Sequence, residues 1–179
     1  MTMPDAAILP ANPGNYASRR NTPVDLVVIH TTEAPYHSAC VWFADPRAKA
    51  SAHYVVSRAG LVAQCVPEAM EAFHAGNAAV NRRSIGVELE AWCDDAATLV
   101  AGSTLLETAA ALVAGICGRH GIPIDREHVV GHSEVADPAH PSEEWVHGGA
   151  HHHRDPGPHF PWDDFMSRVR ALRSPRSAA

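Results

Sequence analysis

The sequence predicts an α/β fold, a single mixed β-sheet flanked by helices, and three observations carry that expectation. Residues 24–30 (VDLVVIH) form a short, almost continuous apolar run, the pattern of a central strand covered on both faces. Residues 84–90 (SIGVELE) alternate, with Ile85, Val87 and Leu89 on one face and Gly86, Glu88 and Glu90 on the other. Residues 105–119 repeat apolar side chains at helical spacing through Leu105, Ala109, Leu112, Val113, Ile116 and Cys117. Strands interleaved with helices in this way build one sheet with helices packed on it.

The elements follow in order. Residues 1–23 are rich in Pro, Asn, Gly and Ser and read as an irregular lead-in. After the strand at 24–30, residues 37–45 (HSACVWFAD) suit a short helix that stops before Pro46. Residues 53–57 (HYVVS) and 61–66 (LVAQCV), joined through Arg58, Ala59 and Gly60, read as a hairpin. The long helix begins with Thr104 and Glu107 in capping-box spacing and ends at Gly118, Gly121 and Pro123. A short strand at 128–131 runs into His132. Residues 133–154 form a long polar loop, a length that in compact domains usually signals function or disorder. Pro161 opens a last amphipathic helix with Asp163 and Asp164 in its first turn. The tail from Ser174 reads as frayed. The expected domain therefore spans 24–173, between a lead-in of 1–23 and a tail of 174–179.

Composition narrows the function. At 179 residues the chain is one domain with enough sequence for a core, and no internal repeat is evident. A formal net charge of -6 argues against a nucleic-acid partner. Arg168, Arg170, Arg173 and Arg176 read as a solvated helix end, where cations suit the helix dipole. No apolar run approaches the roughly 18 residues of a membrane helix, so membrane insertion is not expected. The first 13 residues lack a basic segment followed by an apolar one, so synthesis in the cytoplasm without a signal peptide is expected. Cys40, Cys65, Cys93 and Cys117 show no C-x-x-C spacing, which excludes a zinc ribbon and favours buried free thiols, with a disulfide left open.

The candidate chemistry sits at strand ends. His30 and His132 each close an apolar run, and open α/β sheets build their sites there. A histidine tract, His151 to His153, precedes Asp155 and Pro156. Zinc accepts imidazole and carboxylate, and a catalytic site keeps three protein ligands and one open position. Asp155 can be the third ligand, and His151 and His152 are rivals for it. Each residue alone also suits an ordinary structural or solvated role. Glu88 is exposed if its face meets solvent, and a candidate general base if that face lines a cleft. Gly86 beside it would admit a ligand or another backbone closely.

Six motifs in this order, VVIHTTE, SAHYVVSRAG, FHAGN, SIGVELE, VVGHSEV and HRDPGPHFPW, resemble the zinc-dependent N-acetylmuramoyl-L-alanine amidases of the amidase-2 family, which share their fold with the peptidoglycan recognition proteins. The resemblance covers about residues 24–166. It implies zinc (Zn2+) held by His30, His132 and Asp155, with catalytic roles for Glu88 and His153. It implies hydrolysis of the amide between the lactyl group of N-acetylmuramic acid and L-alanine, in peptidoglycan or muropeptides. Thr31, His74 and Asn77 are candidate substrate-binding residues, whereas His53 and Tyr54 read as structural. Three departures stand out. His153 replaces the lysine of the best-known members, exchanging a fixed cation for a group with an unperturbed pKa of about 6.5. Phe73 replaces a frequent tryptophan, and the 133–154 loop is longer than in compact members.

Two rivals remain: a non-catalytic peptidoglycan-binding module, which would tend to lack the third zinc ligand, and a zinc peptidase acting on stem peptides. A monomer is expected. The resemblance fits both a phage lysin reaching the wall after holin-type export or lysis and a cytoplasmic recycler of muropeptides.

Overall fold

The computed structural model describes residues 4–135 and 153–172. Its strands are β1 (Ala6–Ile8), β2 (Tyr16–Ser18), β3 (Leu26–Thr31), β4 (Tyr54–Val56), β5 (Val62–Gln64), β6 (Met70–Ala72), β7 (Ser84–Leu89) and β8 (Val129–Gly131). Its helices are α1 (Tyr36–Ala44), α2 (Ala78–Arg83), α3 (Thr104–His120) and α4 (Trp162–Leu172), with 3-10 turns at Pro13–Asn15 and His132–Glu134.

Six strands form one mixed sheet in the order β1-β5-β4-β7-β3-β8, and β2 pairs with β6 in a small second sheet. The central neighbours β4, β7, β3 and β8 run parallel, whereas β4 and β5 form the antiparallel hairpin. The expected mixed sheet is therefore present. Two short strands, however, lie inside the stretch read as an irregular lead-in. β1 adds to the β5 edge and β2 pairs with β6, so partners far along the chain supply the order that three-residue segments cannot generate alone.

The alternation of β7 has a physical basis on both faces. Val27, Ile29, Ile85, Val87, Leu89, Tyr54 and Val56 meet α3 and α4 in the main core, with Leu105, Leu112, Ile116, Phe165 and Val169 opposite them. The other face splits in two. Val55 and Ala63 pack with Ala39, Cys40 and Phe43 of α1, and Leu26 and Val28 pack with Ala75, Val80 and Val130. His30 and Glu88 sit on this second face, near the carboxyl ends of their strands. All four cysteines are buried free thiols.

Local chemistry sets the helix ends. The cap of α3 is Ser103, one residue before the expected Thr104, and its hydroxyl accepts from Leu106 N–H at 3.4 Å. Gly121 ends α3 in the left-handed region at φ 71, where its N–H reaches the Cys117 carbonyl. Gly118, expected to help stop the helix, lies within it. Arg168 pairs with Asp164 and Glu107, joining α4 to α3. Arg173, Arg176, the frayed tail and most of the 133–154 loop, His151 and His152 included, lie outside the described residues.

Arg19 is a fold residue that composition gave no reason to notice. It is 5% exposed and donates to the backbone carbonyls of Glu68, Arg82 and Ser84, each at 2.7 Å. One guanidinium thus ties β2 to the α2–β7 junction.

Candidate active site

Three distant segments bring His30, His132 and Asp155 together. β3 delivers His30, the 3-10 turn after β8 delivers His132, and the segment leading into α4 delivers Asp155. Their candidate ligand atoms all lie within 4.8 Å of one another. His30 Nδ1 is 3.1 Å from Asp155 Oδ2, and His132 Nδ1 is 3.1 Å from Asp155 Oδ1. Ligands at about 2.0–2.1 Å around tetrahedral zinc lie roughly 3.3 Å apart, so this spacing fits that ion. Burial, with His132 beside it, pushes His30 down to about 4 and keeps it neutral, the form that binds metal.

The Asp155 segment is fastened rather than draped. Ser133 N–H donates to the Asp155 carbonyl at 2.8 Å, linking this ligand's backbone to the turn that carries His132. Glu134 of the same turn accepts from Gly131 N–H at 2.6 Å and from Arg126, whose guanidinium stacks 3.3 Å from the Trp162 ring centroid. Gly157, at φ 89, lies so close to the Cys93 carbonyl that a Cβ would collide with it.

Glu88 stands beside the cluster. The parallel register makes it the Cα partner of His30, and its Oε2 is buried with no hydrogen-bond partner among the described residues. Burial first, then the charges of Asp155 and Glu33, push its carboxyl up to about 8. Its side chain is therefore not turned to open solvent. An unpaired carboxyl of this kind is poised to exchange a proton near neutrality. His153 stacks on His132 with ring centroids 3.7 Å apart, and Gly76 has the room to let its ring in, since a Cβ there would lie 3.0 Å from His153 Nε2.

The three candidate substrate contacts have other work in this geometry. Thr31 is buried and its hydroxyl donates to Glu33 at 2.7 Å. The Asn77 side chain caps α2, accepting from Ala79 and Val80 N–H. His74 lies behind His30, with one ring nitrogen 3.0 Å from His30 Nε2 and the other 3.0 Å from Ser84 Oγ. The close approach expected at Gly86 is real, but what approaches is the His74 ring, 2.5 Å from where a Cβ would sit. His53 and Tyr54 serve the framework: His53 accepts from Gly86 N–H at 3.0 Å and Tyr54 donates to Glu68 at 2.7 Å.

Ser84, Asn81, Glu134 and Gly157 support the site and were not singled out from sequence. Asn81 accepts from His74 and Ala75 N–H and so fixes the loop that carries His74. A polar residue opening a strand or sitting mid-helix has no distinctive sequence pattern. Only Gly157, between two prolines in DPGP, carried a turn signal.

The chain is 29% identical over 170 residues to N-acetylmuramoyl-L-alanine amidase A of Achromobacter lyticus, covering 89% of this chain and 90% of that one. It is similar to the crystal structure of a selenomethionine derivative of AmpD, with a TM-score of 0.68, 25% identity and coverage of 97% and 100% of the two chains. It is also similar to the amidase AmiD from E. coli, solved with the substrate anhydro-N-acetylmuramic acid-L-Ala-D-gamma-Glu-L-Lys, with a TM-score of 0.62, 27% identity and coverage of 82% and 58%. Residues 20–158 match the model of the N-acetylmuramoyl-L-alanine amidase family, amidase-2, and the chain belongs to that family.

Proposed function

We propose that the chain uses a zinc ion held by His30, His132 and Asp155 to hydrolyse the amide between the lactyl group of N-acetylmuramic acid and L-alanine. Family membership supports the reaction. The convergence of two imidazoles on one carboxylate, beside a Glu88 whose Oε2 has no hydrogen-bond partner among the described residues, supports the mechanism.

An amide is a poor electrophile and water a poor nucleophile at neutral pH. Zinc bound at such a site acidifies water, from a pKa of about 15.7 to about 7, and polarises a carbonyl. Glu88 Oε2 takes the proton of the attacking water and passes it to the departing alanine nitrogen. His153, held by its stack on His132, donates a hydrogen bond to the oxyanion that develops on the carbonyl, a contact worth roughly 2.7–4 kcal/mol when lost. His30, buried on β3, and Asp155, half-buried and fastened through Ser133, keep the reacting centre in place.

Mass spectrometry of products from intact sacculi and from soluble anhydro-muropeptides, with and without a chelator, tests this reading. A free stem peptide beginning with L-alanine, released only with metal present, supports it. Cleavage within the stem peptide would make the chain a peptidase. Binding without any new ends would make it a binding module.

A further inference from the structure

Behind the metal-site candidates lies a buried row of polar groups, from His30 through His74 and Ser84 to the Val80 carbonyl. We propose that Ser84 and His74 are positioning residues that fix His30 as the Nε2–H tautomer and so leave its Nδ1 bare toward Asp155 and His132. The inference rests on the zinc reading above for its purpose, but its direction follows from hydrogen-bond chemistry.

The argument starts at the far end. A backbone carbonyl only accepts, and Ser84 Oγ lies 2.7 Å from the Val80 carbonyl, so the single hydroxyl hydrogen of Ser84 points there. Ser84 is 0% exposed, which excludes solvent as another partner for that hydrogen. The contact of 3.0 Å between Ser84 Oγ and His74 Nε2 must then use a hydrogen on His74. His74 is buried beside His30 and Ser84, and among the described residues no carboxylate is hydrogen-bonded to it, so nothing there compensates a charge on its ring and it stays neutral. A neutral imidazole carries one N–H, so His74 Nδ1 is an acceptor. The 3.0 Å contact with His30 Nε2 is therefore a bond donated by His30.

The reverse order fails at one place. If His74 donated to His30, its Nε2 would need the Ser84 hydrogen, and the 2.7 Å approach of Ser84 to the Val80 carbonyl would set two acceptors against each other. The forward order in turn leaves the His30 Nδ1 lone pair 3.1 Å from an Asp155 oxygen. That contact is repulsive unless a cation lies between them, so the row of bonds builds a demand for metal into the fold. Gly86 makes room for the row, since any side chain there would strike the His74 ring.

The test uses the full chain, first free of metal. Histidine side-chain nitrogen NMR at neutral pH should show His30 and His74 both protonated at Nε2. His30 protonated at Nδ1 would overturn the proposal, whether or not the wild type binds zinc. Zinc competition against a chromogenic chelator supplies the second reading. Ser84→Ala, checked for folding by circular dichroism, should weaken zinc binding by about 10–100-fold. Ser84→Thr, which restores the hydroxyl, should recover most of that loss. Unchanged zinc affinity in folded Ser84→Ala would sink the positioning role, and a wild type that binds no zinc would instead sink the proposed function.

Discussion

His30 and Glu88 are Cα partners in the parallel pairing of β3 with β7, so one register places a candidate metal ligand and an unpaired carboxyl side by side on the same face of the sheet. A slip of one residue in either strand would turn that strand's side chain into the α3–α4 core. The pairing separates two functions that one substitution can distinguish. Glu88→Gln keeps the shape and removes the proton carrier. We expect kcat on muropeptides to fall by about 10²–10⁴, with metal content unchanged. Loss of the metal together with activity would place Glu88 among the ligands instead.

Asp155 reaches both imidazoles, so it should govern metal occupancy. Zinc at about 100 times its Kd should stabilise the wild type by about 2.7 kcal/mol, seen as a zinc-dependent rise in melting temperature. Asp155→Ala should melt at the same temperature with and without zinc, and should have no measurable turnover. A zinc-dependent rise in that variant would move the site elsewhere.

Two glycines should respond to alanine with opposite signs. Gly157 combines φ 89 with a collision against the Cys93 carbonyl, so Gly157→Ala should destabilise by more than about 1 kcal/mol. Gly118 lies exposed within α3 with open space around it, so Gly118→Ala should stabilise by about 0.5–1 kcal/mol. Urea denaturation midpoints read both.

Glu68 should shape acid stability. Burial would raise its carboxyl, but hydrogen bonds from Arg119, Tyr54 and His120 outweigh that and hold it down to about 2. Its folded pKa lies below its unfolded value, so its contribution is complete above an ordinary carboxylate pKa of about 4.3 and is lost as pH falls toward 2. Wild type minus Glu68→Gln stability, measured by denaturant titration, should shrink across that window and stay flat from pH 5 to 7. A difference that grows on acidification would contradict this assignment.

Much of the fold is legible in the chain. The apolar run of β3, the alternation of β7 and the helical period of α3 each state a burial pattern that one face or two must satisfy. β1, β2, β6 and α2 are not legible for the opposite reason: segments of three to six residues have too little periodicity to declare themselves, and distant partners hold them. The site divides in the same way. His30 and His132 stand out because imidazoles at the ends of apolar runs are costly without a purpose, and Asp155 because it follows a histidine tract. Ser84 and Asn81 do not, because a serine or asparagine is unremarkable until its partner is known.

By itself, the sequence determined the class of fold, the family and the set of side chains able to hold a metal, since those depend on residue type, order and period. Tertiary structure decided which face Glu88 occupies, what the room at Gly86 admits, and which histidine stands behind which. It set His74, a candidate substrate contact, behind His30, between that ring and Ser84. Hydrogen-bond direction depends on partners brought together from β3, the loop before α2 and β7, and no local pattern encodes such a meeting.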